Sequence, residues 1–125
     1  MVSPRVPILC TEDDIDTRDL IVLVLQQNGF DVTCTGDAND ALSLAKSEVF
    51  DLYLIDSWLP GESGISLTRK IREFDGETPI LFYSGAARDV DKDAAANAGA
   101  QGYLVKPADA DHLIAEINRL LLGAN

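Results

Sequence analysis

Five short apolar runs, each followed by a stretch of helical character, constrain this chain more than any other feature in it. The runs are Val6 to Thr11, Phe30 to Thr35, Phe50 to Ile55, Pro79 to Ser84 and Gly102 to Val105. They read as near-continuous apolar segments rather than alternating ones. That pattern marks parallel strands covered on both faces. The first intervening helix runs from about Ile15 to Asn28 and stops at Gly29. Asp37 can cap the second, which carries Ala38, Ala41, Leu42 and Ala45 on one stripe. A third, about Gly64 to Phe74, puts Leu67, Ile71 and Phe74 on one side before Asp75-Gly76 breaks it. A short Ala-rich helix from Asp89 ends at Gly99. The last runs from about Asp109 to Leu122, with Leu113, Ile117, Leu120 and Leu121 as its buried stripe.

The order is thus β-α five times over. Right-handed crossovers leave few ways to arrange it. The expectation is a flavodoxin-like (βα)5 doubly wound α/β fold: a five-stranded parallel sheet of order 2-1-3-4-5 with helices on both faces. At 125 residues the chain reads as one domain, residues 1–125, with no internal repeat or linker. Its net charge of −11 argues against direct nucleic-acid binding and against anionic membranes, which both call for a basic surface. No apolar run is long enough to span a bilayer, and the N-terminus lacks a signal-peptide pattern, so a cytoplasmic location is expected. Cys10 and Cys34 lie inside apolar strands and read as reduced core thiols. The first helix is apolar nearly all round, with Leu20 to Leu25 unbroken. A fully covered helix is the simpler account of that, and a protein contact the other.

In the expected topology the carboxyl ends of strands 1 and 3 are neighbours. Glu12 and Asp13 leave strand 1 at the edge where Asp56 leaves strand 3. Singly, these acids read as a helix cap and a turn residue. Together they form a cluster of like charge that needs protonation or a cation. Hard oxygen ligands with places left for water suit Mg2+ better than zinc or copper. Strand 4 ends in the hydroxyl of Ser84, and strand 5 ends in Lys106. A hydroxyl, an ammonium and a cation around one aspartate make a site for a phosphoryl group. Aspartate can accept such a group as an acyl phosphate. Pro107 after Lys106 fits a cis bond that turns the lysine toward the site.

These residues, in the segments ILCTEDD, LIDSWLPGESG, PILFYSG and GYLVKP, resemble the receiver domain of bacterial two-component response regulators, from about Val6 to Leu122. The resemblance implies that Asp56 is the phosphoacceptor. It implies Mg2+ bound by Asp13, Asp56 and the backbone carbonyl of Trp58, with Glu12 acting largely through water. Ser84 and Lys106 would sense the phosphoryl group, and Tyr103 would be the aromatic switch. The implied phosphodonor is a sensor histidine kinase or phosphotransfer protein. The implied output is a changed surface of the fourth helix, fifth strand and fifth helix, read by a protein partner or by an effector domain absent from this chain. A phosphorylation-dependent dimer is a further reading. Such a domain is no enzyme beyond its own phosphorylation and dephosphorylation.

Some positions depart from the commonest pattern of the family. Ser84 is often Thr, and Ser63 stands where Asp is frequent. Trp58 is bulkier than usual, and Ala86 offers no polar group to position water, so slow loss of the phosphoryl group is expected. Three rivals remain. An aspartate-nucleophile phosphatase wants a second acid two residues after the nucleophile, where this chain has Trp58. A flavin-binding electron carrier needs a hydroxyl-rich loop after strand 1, where this chain has three acids. A non-phosphorylated scaffold of the same fold would tolerate loss of the Asp56 carboxylate. His112, the only histidine, reads as a surface residue.

Overall fold

A computed structural model describes residues 5–123. Its strands are β1 (Val6–Thr11), β2 (Phe30–Thr35), β3 (Leu52–Ile55), β4 (Ile80–Ser84) and β5 (Gly102–Val105). Its helices are α1 (Ile15–Gln27), α2 (Ala38–Ser47), α3 (Gly64–Arg72), α4 (Asp89–Ala98) and α5 (Ala110–Leu121). All strand pairings are parallel, and the order is β2-β1-β3-β4-β5. The expected topology therefore holds. The registers align Thr11 with Ile55, and Ser84 with Val105, so the residues that follow these strands emerge at one edge.

The sheet separates two apolar cores. One face packs Ile8, Cys10, Leu52, Leu54 and Leu81 against Ile21 and Leu25 of α1 and Leu113, Ile117 and Leu120 of α5. The other packs Leu9, Tyr53, Ile55, Ile80 and Phe82 against Ala41 and Ala45 of α2 and Leu67 and Ile71 of α3. The small residues of α2 let it lie close to β1. A fully buried aliphatic side chain contributes about 1.5–3 kcal/mol, so these two layers supply most of the drive to fold. Side-chain caps fix the helix starts. The Thr17 N–H donates to Asp14 Oδ2 at 3.0 Å, Asp40 N–H to Asp37 Oδ1 at 2.8 Å, and Ser66 N–H to Ser63 Oγ at 3.1 Å.

Several expectations need correction. β3 begins at Leu52 rather than Phe50, although the Asp51 N–H still donates to Pro7 O at 2.8 Å and Phe50 packs against Tyr53. β4 begins at Ile80, because Pro79 has no N–H to give the ladder and only its carbonyl is used, by Tyr53 N at 3.0 Å. α3 closes at Arg72, and Phe74 stands exposed beyond it rather than on the buried side. Leu121 is only half-buried. The largest correction concerns α1, which is not fully covered. Ile21 and Leu25 are its buried residues, whereas Leu20 is 59% exposed and Ile15 and Leu23 also face solvent. Cys10 is buried, Cys34 half-buried, and both are free thiols. No helix among the described residues is long and apolar enough to cross a membrane.

Candidate functional site

The site lies where β1, β3, β4 and β5 end. β1 delivers Glu12, which is 2% exposed, and then Asp13, which is exposed. β3 delivers Asp56, 7% exposed. Backbone bonds hold both acids in place: Glu12 N–H donates to Thr35 O at 2.9 Å, and Asp56 N–H to Thr11 O at 3.2 Å. One carboxylate oxygen from each of Glu12, Asp13 and Asp56 falls in a group whose members lie within 4.8 Å of one another. Asp14, the next acid, is spent on capping α1, so Asp13 is left for the crevice.

Lys106 is the counter-charge. Its N–H donates to Ser84 O at 2.8 Å, continuing the β4–β5 ladder. Its Nζ lies 2.5 Å from Glu12 Oε1 and 3.3 Å from Asp56 Oδ2. The Lys106–Pro107 bond is cis. Burial opposes the charged ammonium, but the Glu12 hydrogen bond and the Asp56 charge outweigh it, and the lysine is held above its ordinary value. Glu12 is also raised. Burial is the main cause, Asp56 adds to it, and Lys106 offsets it only in part. One ammonium therefore leaves three carboxylates under-neutralised, which is what a hard divalent cation would correct. All the candidate ligands are oxygens, which suits magnesium and excludes a thiolate- or imidazole-built centre.

The remaining predicted residues divide into those that meet the crevice and those that line its rim. Ser84 is fully buried, and its Oγ accepts from the Ala86 N–H at 3.1 Å. Tyr103 is half-buried and stacks on Phe82, with centroids 5.7 Å apart. Its hydroxyl donates to Ala86 O at 2.6 Å. Trp58 follows the acid by two residues, and at 68% exposed it is not buried over Asp56. Asp13, Trp58 and Pro60 line one cleft at the crevice mouth. Gly64 allows the loop to fold back, since a Cβ there would collide with the Asp56 carbonyl. His112 lies exposed in the first turn of α5.

Sequence reading missed two residues. Arg18 of α1 donates through Nε to Glu12 O at 3.0 Å and through Nη2 to Asp13 O at 3.4 Å, tying the acidic loop to the helix. Ser57 donates its N–H to Asp56 Oδ1 at 2.8 Å and brings its hydroxyl to 3.5 Å from that of Tyr103. Adjacency to Asp56 was the only signal for Ser57, and Arg18 had none beyond lying on the first turns of α1.

Fold and site together define an open α/β domain with a cation-ready carboxylate crevice and one inward-facing lysine. The response regulator receiver domain pattern matches residues 8–118. The chain is 34% identical over 110 residues to the transcriptional regulatory protein DltR of Streptococcus agalactiae, covering 88% of this chain and 49% of that protein. It is 37% identical over 121 residues to a 14.6 kDa protein of Leptolyngbya boryana, covering 95% of this chain and 92% of that one. Among solved structures it is similar to the receiver domain of a Pseudomonas aeruginosa sensor histidine kinase, crystallised with a magnesium ion coordinated in its active-site cleft. That likeness has a TM-score of 0.90 at 29% identity and covers 96% of this chain and 100% of the other. The chain belongs to the response regulator receiver domain family. It spans about half the length of the transcriptional regulators it matches.

Proposed function

We propose that this chain is a phosphorylation-activated switch of two-component signalling that accepts a phosphoryl group on Asp56. The observation that carries this reading is the meeting of Glu12, Asp13, Asp56 and Lys106 in one crevice. Asp56 Oδ attacks the phosphorus of the donor. An acyl phosphate bond forms, and the bond from phosphorus to the donor's imidazole nitrogen, or to the oxygen of a small phosphodonor, breaks. The electron pair leaves with the donor. Asp13, Asp56 and the Trp58 carbonyl are the proposed direct magnesium ligands, with Glu12 acting largely through water. The bound cation supplies charge neutralisation for the phosphoryl oxygens. Lys106 already touches Asp56 and is placed to pair with the incoming charge.

The new phosphoryl group carries roughly −2 of charge beside Ser84 and Lys106. In the proposed switch the Ser84 hydroxyl then exchanges its Ala86 partner for a phosphoryl oxygen. Ala86 is also the residue that holds the Tyr103 hydroxyl, so movement of this loop reaches Tyr103 directly. The surface of α4, β5 and α5 changes with it. Two states pre-exist, and contacts made only to the phosphorylated form shift their populations. The chain turns over no substrate beyond its own phosphorylation and dephosphorylation.

The proposed phosphodonor partner is a sensor histidine kinase or phosphotransfer protein. The exposed apolar side of α1 supports a docking partner, since Leu20 and Val24 border a groove shared with Ala108 and Leu113, beside the lysine loop. Downstream we propose a protein partner or an effector domain outside this chain, and a cytoplasmic setting. The single sheet joining all five strands supports reading the chain as one receiver domain. Intact mass after incubation with acetyl phosphate and Mg2+ tests the function. One phosphoryl adduct is expected on the wild type and none on Asp56→Ala. A wild type that stays unlabelled with every phosphodonor would return the chain to the scaffold reading.

A further inference from the structure

The Tyr103 hydroxyl has a second neighbour that the switch reading does not use. It carries one proton, and it gives that proton to Ala86 O at 2.6 Å. Its oxygen is then left to accept. The Ser57 Oγ lies 3.5 Å away, so in this pair Ser57 is the donor and Tyr103 the acceptor. Ser57 is also fastened at its other end, because its N–H donates to Asp56 Oδ1 at 2.8 Å. Its carbonyl accepts from Gly64 N–H at 3.0 Å, which anchors it to the start of α3.

From this geometry we infer that Ser57 is a positioning residue that holds Tyr103 in its inward, Phe82-stacked arrangement and so couples the Asp56 loop directly to the aromatic switch. The inference rests on the switch reading of Tyr103. It adds a second connection to the one through Ser84 and Ala86. A continuous path results: Asp56 to Ser57 by the backbone bond, Ser57 to Tyr103 by the hydroxyls, Tyr103 to the Ala86 carbonyl, and the Ala86 N–H to Ser84. Both arms start beside the acceptor and meet at Tyr103. At 3.5 Å the serine arm is longer than an ordinary O–H···O bond, so it biases the ring rather than locking it. Its consequence is that the chain holds part of its switched arrangement before any phosphoryl group arrives.

The test uses the full chain labelled with 3-fluorotyrosine, which reports on only three tyrosines. Tyr103→Phe assigns the Tyr103 fluorine resonance by removing it. In unphosphorylated protein, Ser57→Ala should move or split that resonance, while Ser57→Thr, which keeps the hydroxyl, should leave it in place. Adduct formation from acetyl phosphate and Mg2+ should slow about 2–5-fold in Ser57→Ala, the scale of one weak hydrogen bond. The same change in a Tyr103→Phe background should cause no further slowing. An unmoved resonance in Ser57→Ala overturns the inference, as does equal slowing in both backgrounds. If the wild type forms no adduct, the acceptor reading fails on its own account. The fluorine spectra then decide the Ser57–Tyr103 contact alone, a shift in the alanine variant supporting it and its absence overturning it.

Discussion

The two ends of the sheet both carry polar networks, and they use them oppositely. At the amino end, Arg72 donates from Nε and Nη2 to Gly99 O at 3.1 and 2.8 Å, from Nη1 to Asp75 O at 3.0 Å, and from Nη2 to Gln101 Oε1 at 2.8 Å. Gln101 also accepts from Ile80 N–H at 2.8 Å, and Asp75 from the N–H groups of Glu77 and Thr78 and from the Tyr53 hydroxyl. Here donors and acceptors match, and the network joins α3 to the turns before β4 and β5. At the carboxyl end, three carboxylates meet and the one lysine among them pairs with only two, Glu12 and Asp56. A dense polar network alone therefore does not mark a site in this molecule. Unbalanced charge does, because it leaves room for a ligand to complete the set.

Asp56→Asn should break the comparison hardest. The acyl phosphate adduct should vanish in intact-mass measurements, while the thermal midpoint without Mg2+ stays equal or rises, since one of the crowded carboxylates is gone. The opposite outcome is expected at the other end. Arg72→Met strands the Gly99, Gln101 and Asp75 acceptors and should cost about 2–4 kcal/mol in urea unfolding. Adduct formation in the folded variant should be unchanged. A stability loss in the first variant as large as in the second would remove the distinction between the two ends.

Lys106→Met sharpens the same contrast. The lysine and a cation compete for Glu12 and Asp56, so its loss should tighten Mg2+ binding, by up to about tenfold if the pair is worth about 1.4 kcal/mol. Titration followed by the fluorescence of Trp58, the only tryptophan, would read it. Weaker binding would mean that Lys106 holds the acids in place more than it competes for them. Trp58→Asn should act more gently. With the ring largely exposed, its shielding of the acyl phosphate is limited to approach from one side, and adduct decay should quicken by less than about tenfold. An unaltered decay rate would remove Trp58 from the account.

How much of this was legible in the sequence follows from the range of each signal. Strands buried on both faces announce themselves in runs of a few residues, and right-handed crossovers then order them. The acids at matched strand ends follow from that order, so Glu12, Asp13, Asp56, Ser84 and Lys106 could all be named. Strand and helix ends were less visible, because Phe50 and Phe74 are apolar yet lie outside the elements they flank. The exposed side of α1 was misread because an unbroken apolar run reads the same whether the helix is covered all round or on one side only. Contacts across long stretches of chain left no local trace. Arg72 meets Gly99, 27 residues on, and Ser57 meets Tyr103, 46 residues on, and no periodicity encodes either.

Tyr53→Phe is the mildest test of the matched end, and its sign should reverse with pH. Burial, then the Asp75 charge and hydrogen bond, push the Tyr53 phenol up from its ordinary value to about 12. At neutral pH the variant loses one hydrogen bond and should be less stable by about 1 kcal/mol. A group whose pKa is raised by folding gives stability that is whole below its unfolded value and is lost as pH climbs through the folded one. In the wild type that loss begins near pH 10, where the unfolded chain's phenol ionises freely, and continues to about 12. Phenylalanine has no proton to lose. The variant should therefore overtake the wild type in urea midpoint above about pH 11, where the linkage exceeds the lost hydrogen bond. A difference that stays constant across that window would show that the phenol is not held neutral by its surroundings. The amino end would then be less tightly matched than its hydrogen bonds indicate.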